Sequence, residues 1–396
     1  MRKIIASAVG LMLAGGVATT TASAMENQFG GYWRTRAIVQ DKFNQDGESY
    51  GRIDNRTRLY YTAKFNDNFK FVNKFEFDSN WGSEPLGDIG ADGMVFEIKH
   101  SYADFTLGNV RTKLGIQGYT IARGFIFNND FTGILVSPKL GNVTPTLGYI
   151  SAKTEDGGGY DYTEGIAFFQ VGVQVSDNLS LTPYFVYYSA DEGTSVDDEG
   201  VVTPEGDWNS YYLGTDFDLK MDVASVWGSL IYNGGDYGDD DISAFLGALG
   251  VDAGIAHGQV FFATGDDDAA DGDMEAFFNP VGRSYYWSEI MGYGVFDNNA
   301  SAGSPADGIT NILAVNAGVT VKPADKLTLS ADLWYAMLAE DNAAGENELG
   351  FEVDGKLTYA LMDNMNLDAV LAYLAAGDAT GDEDVFESGV RLSFKF

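Results

Sequence analysis

Basic side chains recur at even spacing through the first third of the chain: Arg34 and Arg36, Arg52, Arg56 and Arg58, Lys70 and Lys74, then Arg111 and Lys113. Guanidinium and ammonium groups bind carboxylates and phosphates, and guanidinium does so through paired N–H donors. In an extended chain, residues two apart point the same way, and neighbouring strands lie about 4.8 Å apart, so these groups can stack into one basic wall. Asp54, Glu76 and Asp78 are interleaved with them. Arginines paired with those acids would stiffen the wall and still present donors to a passing anion.

A second candidate lies just beyond. Gly115-Ile116-Gln117-Gly118-Tyr119 leads into Thr120 to Asp130, where Arg123 and Asp130 are the charged residues. The apolar residues Ile121, Phe125, Ile126 and Phe127 suit packing against an inner surface better than projection into water. A further piece of strand is the alternative reading of this segment. Hydrolytic chemistry has little to work with. Of the two histidines, His100 is followed by Ser101, but neighbours on a strand face opposite ways and cannot form a dyad. The connection from Thr264 to Gly308 opens with Asp266, Asp267, Asp268, Asp271 and Asp273. Hard oxygen ligands suit Ca²⁺ or Mg²⁺, although the spacing is not that of an EF-hand and such loops are usually just solvated, so the metal assignment stays open. Neither a haem motif nor a nucleotide fingerprint is present, and no cofactor is expected.

Strands with one apolar and one polar face would carry these residues. Leu349, Phe351, Val353, Leu357, Tyr359 and Leu361 alternate with Glu348, Glu352, Asp354, Lys356 and Thr358. Ile53, Thr57, Leu59, Tyr61, Ala63 and Phe65 alternate in the same way with Arg52, Asp54, Arg56, Arg58, Thr62 and Lys64. Short turns such as Asn66-Asp67-Asn68, Gly108-Asn109 and Asp363-Asn364 exchange with long acidic, Gly-rich connections, among them Asp191 to Asp207, Gly234 to Asp241 and Thr264 to Gly308. The pattern predicts an all-β, transmembrane antiparallel barrel of about 18 strands, or 16 if weak segments such as Phe131 to Lys139 do not span. Closure removes the two edges that an open sheet of this size would expose. Aromatics near strand ends, including Tyr187, Tyr188, Trp227, Trp334 and Tyr373, are expected in interfacial girdles.

Arg2 and Lys3, the apolar run Ile4 to Val17 and the site Ala22-Ser23-Ala24 read as a secretory signal peptide covering residues 1–24, which leaves residues 25–396 as one barrel unit. No later segment reaches the roughly 20 apolar residues of a spanning helix. Cysteine is absent, so neither disulfides nor thiolate metal sites contribute. A net charge of −34 argues against a nucleic-acid partner. The charge is uneven: residues 25 to 123 hold 13 basic and 13 acidic side chains, and all of the acidic excess lies beyond them.

The last segment, Phe386, Ser388, Val390, Leu392, Phe394 and terminal Phe396 against Glu387, Arg391, Ser393 and Lys395, resembles the closing strand of Gram-negative outer-membrane proteins. The whole layout resembles the porin family. That resemblance implies an outer-membrane location among lipids and lipopolysaccharide, and passive diffusion of small hydrophilic solutes through a water-filled lumen. It implies no catalysis, and it leaves a homotrimer and a monomer both open. It also implies an inward-folded loop near 118–131, with Arg123 and Asp130 at the constriction, and a long extracellular loop near 264–308. A structural or adhesive surface barrel and a barrel hydrolase are the alternatives.

Overall fold

Strands of alternating polarity pair with their chain neighbours until the sheet meets itself. In the computed structural model, residues 25–83, 87–89, 95–154, 162–190, 207–268, 271–280, 285–294, 296, 306, 308–381 and 383–396 are described; the expected signal peptide lies outside them. The first strands are β1 (Glu26–Asp41), β2 (Ser49–Asn66), β3 (Phe69–Asn80), β4 (Val95–Leu107), β5 (Val110–Ile121) and β6 (Phe127–Pro138). Next come β7 (Val143–Thr154), β8 (Tyr162–Gln174), β9 (Leu179–Ala190), β10 (Trp208–Lys220), β11 (Ser225–Tyr237), β12 (Asp240–Ala253) and β13 (Ala256–Ala263). The two-residue β14 (Asp273–Met274) lies parallel to the start of β12 and outside the wall. The wall resumes with β15 (Ile312–Ala324), β16 (Leu327–Met337), β17 (Glu348–Met362), β18 (Met365–Ala376) and β19 (Val385–Lys395).

β1 pairs antiparallel with both β2 and β19, and β13 pairs with β15, so the wall is a closed barrel of 18 strands. The chain end forms part of this seam. Gly31 and Phe396 exchange backbone hydrogen bonds of 2.8 and 3.1 Å, and a side chain at Gly31 would strike the Phe396 ring. The weak segment at Phe131 to Lys139 contains the wall part of β6, Thr132 to Pro138, which removes the 16-strand alternative. Gly234 to Asp241 is not a long connection: β11 and β12 run on to the pair Tyr237 and Asp240, leaving a two-residue turn.

Apolar residues cover the outside, with Leu213, Leu230 and Leu371 each about 60% exposed. A skin of this kind is what a strand barrel presents to hydrocarbon. The inside departs from simple sorting. Ile166, Val186, Tyr212, Ile231, Leu246 and Phe261, on the inner face of β8 to β13, are all buried, because two inserts fill the lumen and pack on them. Trp334 and Tyr188 also turn inward and are buried, and Trp227 lies beneath the Arg123 guanidinium, so these three do not belong to a girdle.

Candidate pore lining

The expected basic row stands on β1 to β5, and most of its members face an acid. Arg36 Nε donates to Asp54 Oδ2 at 2.8 Å, and Arg52 lies 3.7 Å from the same carboxylate. Arg56 grips Asp78 through Nε and Nη2 and reaches Glu76 at 3.1 Å, while Arg58 also pairs with Glu76. Nearer the short-turn end, Arg111 holds Asp104 through two bonds of 2.8 and 2.6 Å, Lys70 is 3.4 Å from the same residue, and Lys113 sits over the Tyr102 ring. Lys74 and Arg34 have no ion pair among the described residues. Arg34 is also 6% exposed, with its Nε lacking a hydrogen-bond partner.

Arg123 and Asp130 belong to the first insert. β5 pairs with β4 only as far as Ile116, and β6 with β7 only from Thr132, so Gln117–Ile121 and Phe127–Phe131 pair with each other alone. Gly115 and Gly133 face each other where this hairpin leaves the wall. Gly115 has φ +127°, and a Cβ there would lie 2.3 Å from Ser101 O; one at Gly133 would lie 2.0 Å from Tyr149 O. At the tip, Phe125 and Ile126 are fully buried, and Arg123 reaches across to β10, donating to Phe217 O at 3.0 Å and Asp218 Oδ1 at 2.8 Å. Asp130 remains on the near side, 3.2 Å from His100 Nε2 and 3.9 Å from Lys99 Nζ.

Lys99 was not among the residues singled out from sequence. Lys74 pairs with His100 and Phe75 with Ile98, so Lys99 is the extra residue of a β-bulge. The bulge turns both Lys99 and His100 toward Asp130. A sequence signal exists: outward apolar positions change from even numbers, Phe96 and Ile98, to odd ones, Phe105 and Leu107. Arg391 also faces the lumen; its Nε donates to Asp368 at 3.0 Å and its guanidinium lies 4.7 Å from the Phe296 ring.

Phe296 belongs to the second insert, the connection between β13 and β15, whose central part lies inside the barrel. Tyr285 stacks on Phe125 at 3.9 Å, Trp287 meets Trp334 edge-on, and Phe296 O accepts from Arg36 at 3.1 Å. Between the inserts and the basic wall lies a cavity of about 550 Å³, lined by Arg56, Arg58, Lys99, Asp130, Tyr286 and Tyr293 among others. A smaller cavity of about 210 Å³ lies on the other side against Trp227, Trp287 and Trp334. His257 lines it, bonded to Asp332 at 2.8 Å.

The acids Asp266, Asp267, Asp268, Asp271 and Asp273, candidate ligands for a divalent cation, do not converge on one point among the described residues. Their mutual repulsion instead raises the Glu275 carboxyl, with Asp267 the largest contributor. The carboxylates close enough to share an ion are Glu76, Asp78 and Glu97, and these already face Arg56, Arg58 and Lys99.

No family model and no curated protein matches the chain. Solved structures do. Pseudomonas aeruginosa OpdL aligns with a TM-score of 0.65 and 13% identity over 94% of this chain and 99% of that one. Acinetobacter baumannii OccAB4 gives 0.63 and 12% over 95% and 99%, and P. aeruginosa OpdK, solved with vanillate, gives 0.60 and 12% over 94% and 98%. The chain therefore has the 18-stranded fold of these barrels.

Proposed function

We propose that this chain is an outer-membrane porin through which small hydrophilic solutes diffuse passively, with small carboxylates favoured. The observation that carries the reading is the 550 Å³ cavity walled on one side by Arg56, Arg58 and Lys99 and on the other by the lumen inserts. Cations fixed along a narrow wet passage lower the energy of an anion within it and raise that of a cation. Arg123 pins the hairpin tip to the far wall while Asp130 and Lys99 hold its near side, so the hairpin forms one border of the constriction. Arg34, Arg36, Arg52, Lys70, Lys74, Arg111 and Lys113 extend the cationic row above and below it. The bound aromatic carboxylate named for OpdK supports the same solute class. The apolar skin suits a membrane-spanning barrel, and the leader-like residues 1–24 support export to the outer membrane.

Purified, refolded protein in a planar bilayer is expected to give stepwise conductance, with a reversal potential on the anion side in a salt gradient. Lys99→Met should lower the anion preference severalfold, about 1 kcal/mol for one charge near the path at an effective dielectric of about 20 with salt screening. Folded protein that conducts nothing would favour a structural or adhesive surface barrel.

A further inference from the structure

Glu352 stands on β17 inside the barrel and is fully buried. Its carboxylate accepts three consecutive backbone N–H groups of the second insert: Oε1 those of Glu289 and Ile290, Oε2 that of Met291, each at 2.8 Å. Consecutive N–H groups converging on one point form an anion-binding nest, and here the anion comes from the wall itself. The three donor residues are themselves fully buried, so in the folded barrel it is the carboxylate and not bulk solvent that satisfies their N–H groups.

The surrounding bonds turn the segment back on itself. Glu289 Oε2 accepts from Phe296 N–H at 2.7 Å, and Glu289 Oε1 lies 2.5 Å from Lys356 Nζ on β17. Ser288 Oγ accepts from Gly292 N–H at 2.7 Å. Tyr286 and Tyr293 flank the nest in sequence, and both line the large cavity with ring centres 5.1 Å apart.

We infer that Glu352 is a positioning residue that sets the bore of the channel: its carboxylate ties residues 289–291 to β17 and so places Tyr286 and Tyr293 in the cavity with Arg56, Arg58 and Lys99. The inference rests on the channel reading above. Glu352 itself does not line the cavity, so its effect on passage is transmitted through the insert.

Glu352→Ala leaves three buried donors without an acceptor. Glu352→Gln keeps an amide oxygen for Glu289 and Ile290 but sets an amide NH₂ against the Met291 N–H, so it should act in the same direction and less strongly. Hydrogen exchange of residues 285–294 in detergent tests the tie without assuming transport. Exchange there should rise about tenfold or more in Glu352→Ala while the β1 to β5 amides stay protected. Single-channel conductance should rise by roughly half or more, and larger polyethylene glycols should enter the pore. The pair Tyr286→Ala with Tyr293→Ala should widen the pore on its own yet add little to Glu352→Ala, because both act through the same obstruction.

Unchanged exchange at 285–294 overturns the inference. So does a conducting Glu352→Ala channel whose selectivity shifts while its size cut-off stays that of wild type, since only the charge would then matter. A wild-type barrel that does not conduct refutes the channel reading instead, and exchange alone then decides whether Glu352 holds the insert. If Glu352→Ala fails to assemble, Glu352→Gln carries both measurements.

Discussion

The lumen cations differ in how far their charge is cancelled. Arg36, Arg56, Arg58 and Arg111 each hold a carboxylate, so each pair acts at a distance nearly as a dipole. Arg34 holds none among the described residues, and it is buried beside Arg36 and Arg56. Burying an unpaired charge is costly for folding. What it leaves is a net positive potential in the middle of the wall. Arg34→Met should therefore lower the anion preference severalfold, a loss of about 1 kcal/mol, while thermal stability stays level or rises. Reversal potentials and the temperature at which the folded band is lost on electrophoresis read the two effects. A less stable variant of unchanged selectivity would make Arg34 a structural residue. Even spacing alone placed Arg34, Arg56 and Lys70 on one face. It could not reveal that Arg34 lacks an acid, because ion pairing depends on cross-strand register, and a single bulge was enough to hide Lys99.

The β5–β6 hairpin leaves the wall where two glycines oppose each other. The φ of +127° at Gly115 is strained for any other residue, and the Ser101 carbonyl occupies the space a Cβ would need. Gly115→Val is expected to destabilise the barrel by about 2–4 kcal/mol, combining backbone strain with the clash. Any barrel that forms should conduct with more noise, because the hairpin's departure angle is no longer fixed. Gly247→Ala is the control. That position has open space around it and an ordinary φ, so its stability and conductance should match wild type within about 0.5 kcal/mol. A stable, quiet Gly115→Val channel would show that the glycine does not set the departure. The glycines were visible in the sequence, yet the alternation of the hairpin continues that of the wall, and nothing local marks where pairing with β4 and β7 ends.

The barrel as a whole was legible because polarity alternates wherever water lies on one side and hydrocarbon on the other, and because turn residues mark most strand ends. The filled half of the lumen was not. On β12, Leu246 faces in and Phe245 faces out, so the run from Ile242 to Val251 reads only as apolar, and its inner partners come from inserts far along the chain.

The molecule carries two separate charge systems. The row on β1 to β5 is cationic, whereas all of the excess acid follows Arg123 in the sequence, much of it in the connections. Solvated connections are screened over about 10 Å at 0.1 M salt and about 3 Å at 1 M, while partly buried wall charges are screened much less. In dilute salt the acidic mouth should concentrate cations and oppose the wall. Raising the salt should silence the mouth first. The anion-to-cation permeability ratio is therefore expected to rise as salt is increased from about 0.05 M to about 1 M, opposite to the decline expected of a pore governed by exposed basic groups alone. Reversal potentials at a fixed gradient ratio and increasing mean concentration measure it. Neutralising Asp266, Asp267 and Asp268 to Asn should flatten the trend by raising the ratio at low salt and leaving it unchanged at high salt. A ratio that falls with salt in the wild-type channel would place the governing cations at the surface and not on the inner wall.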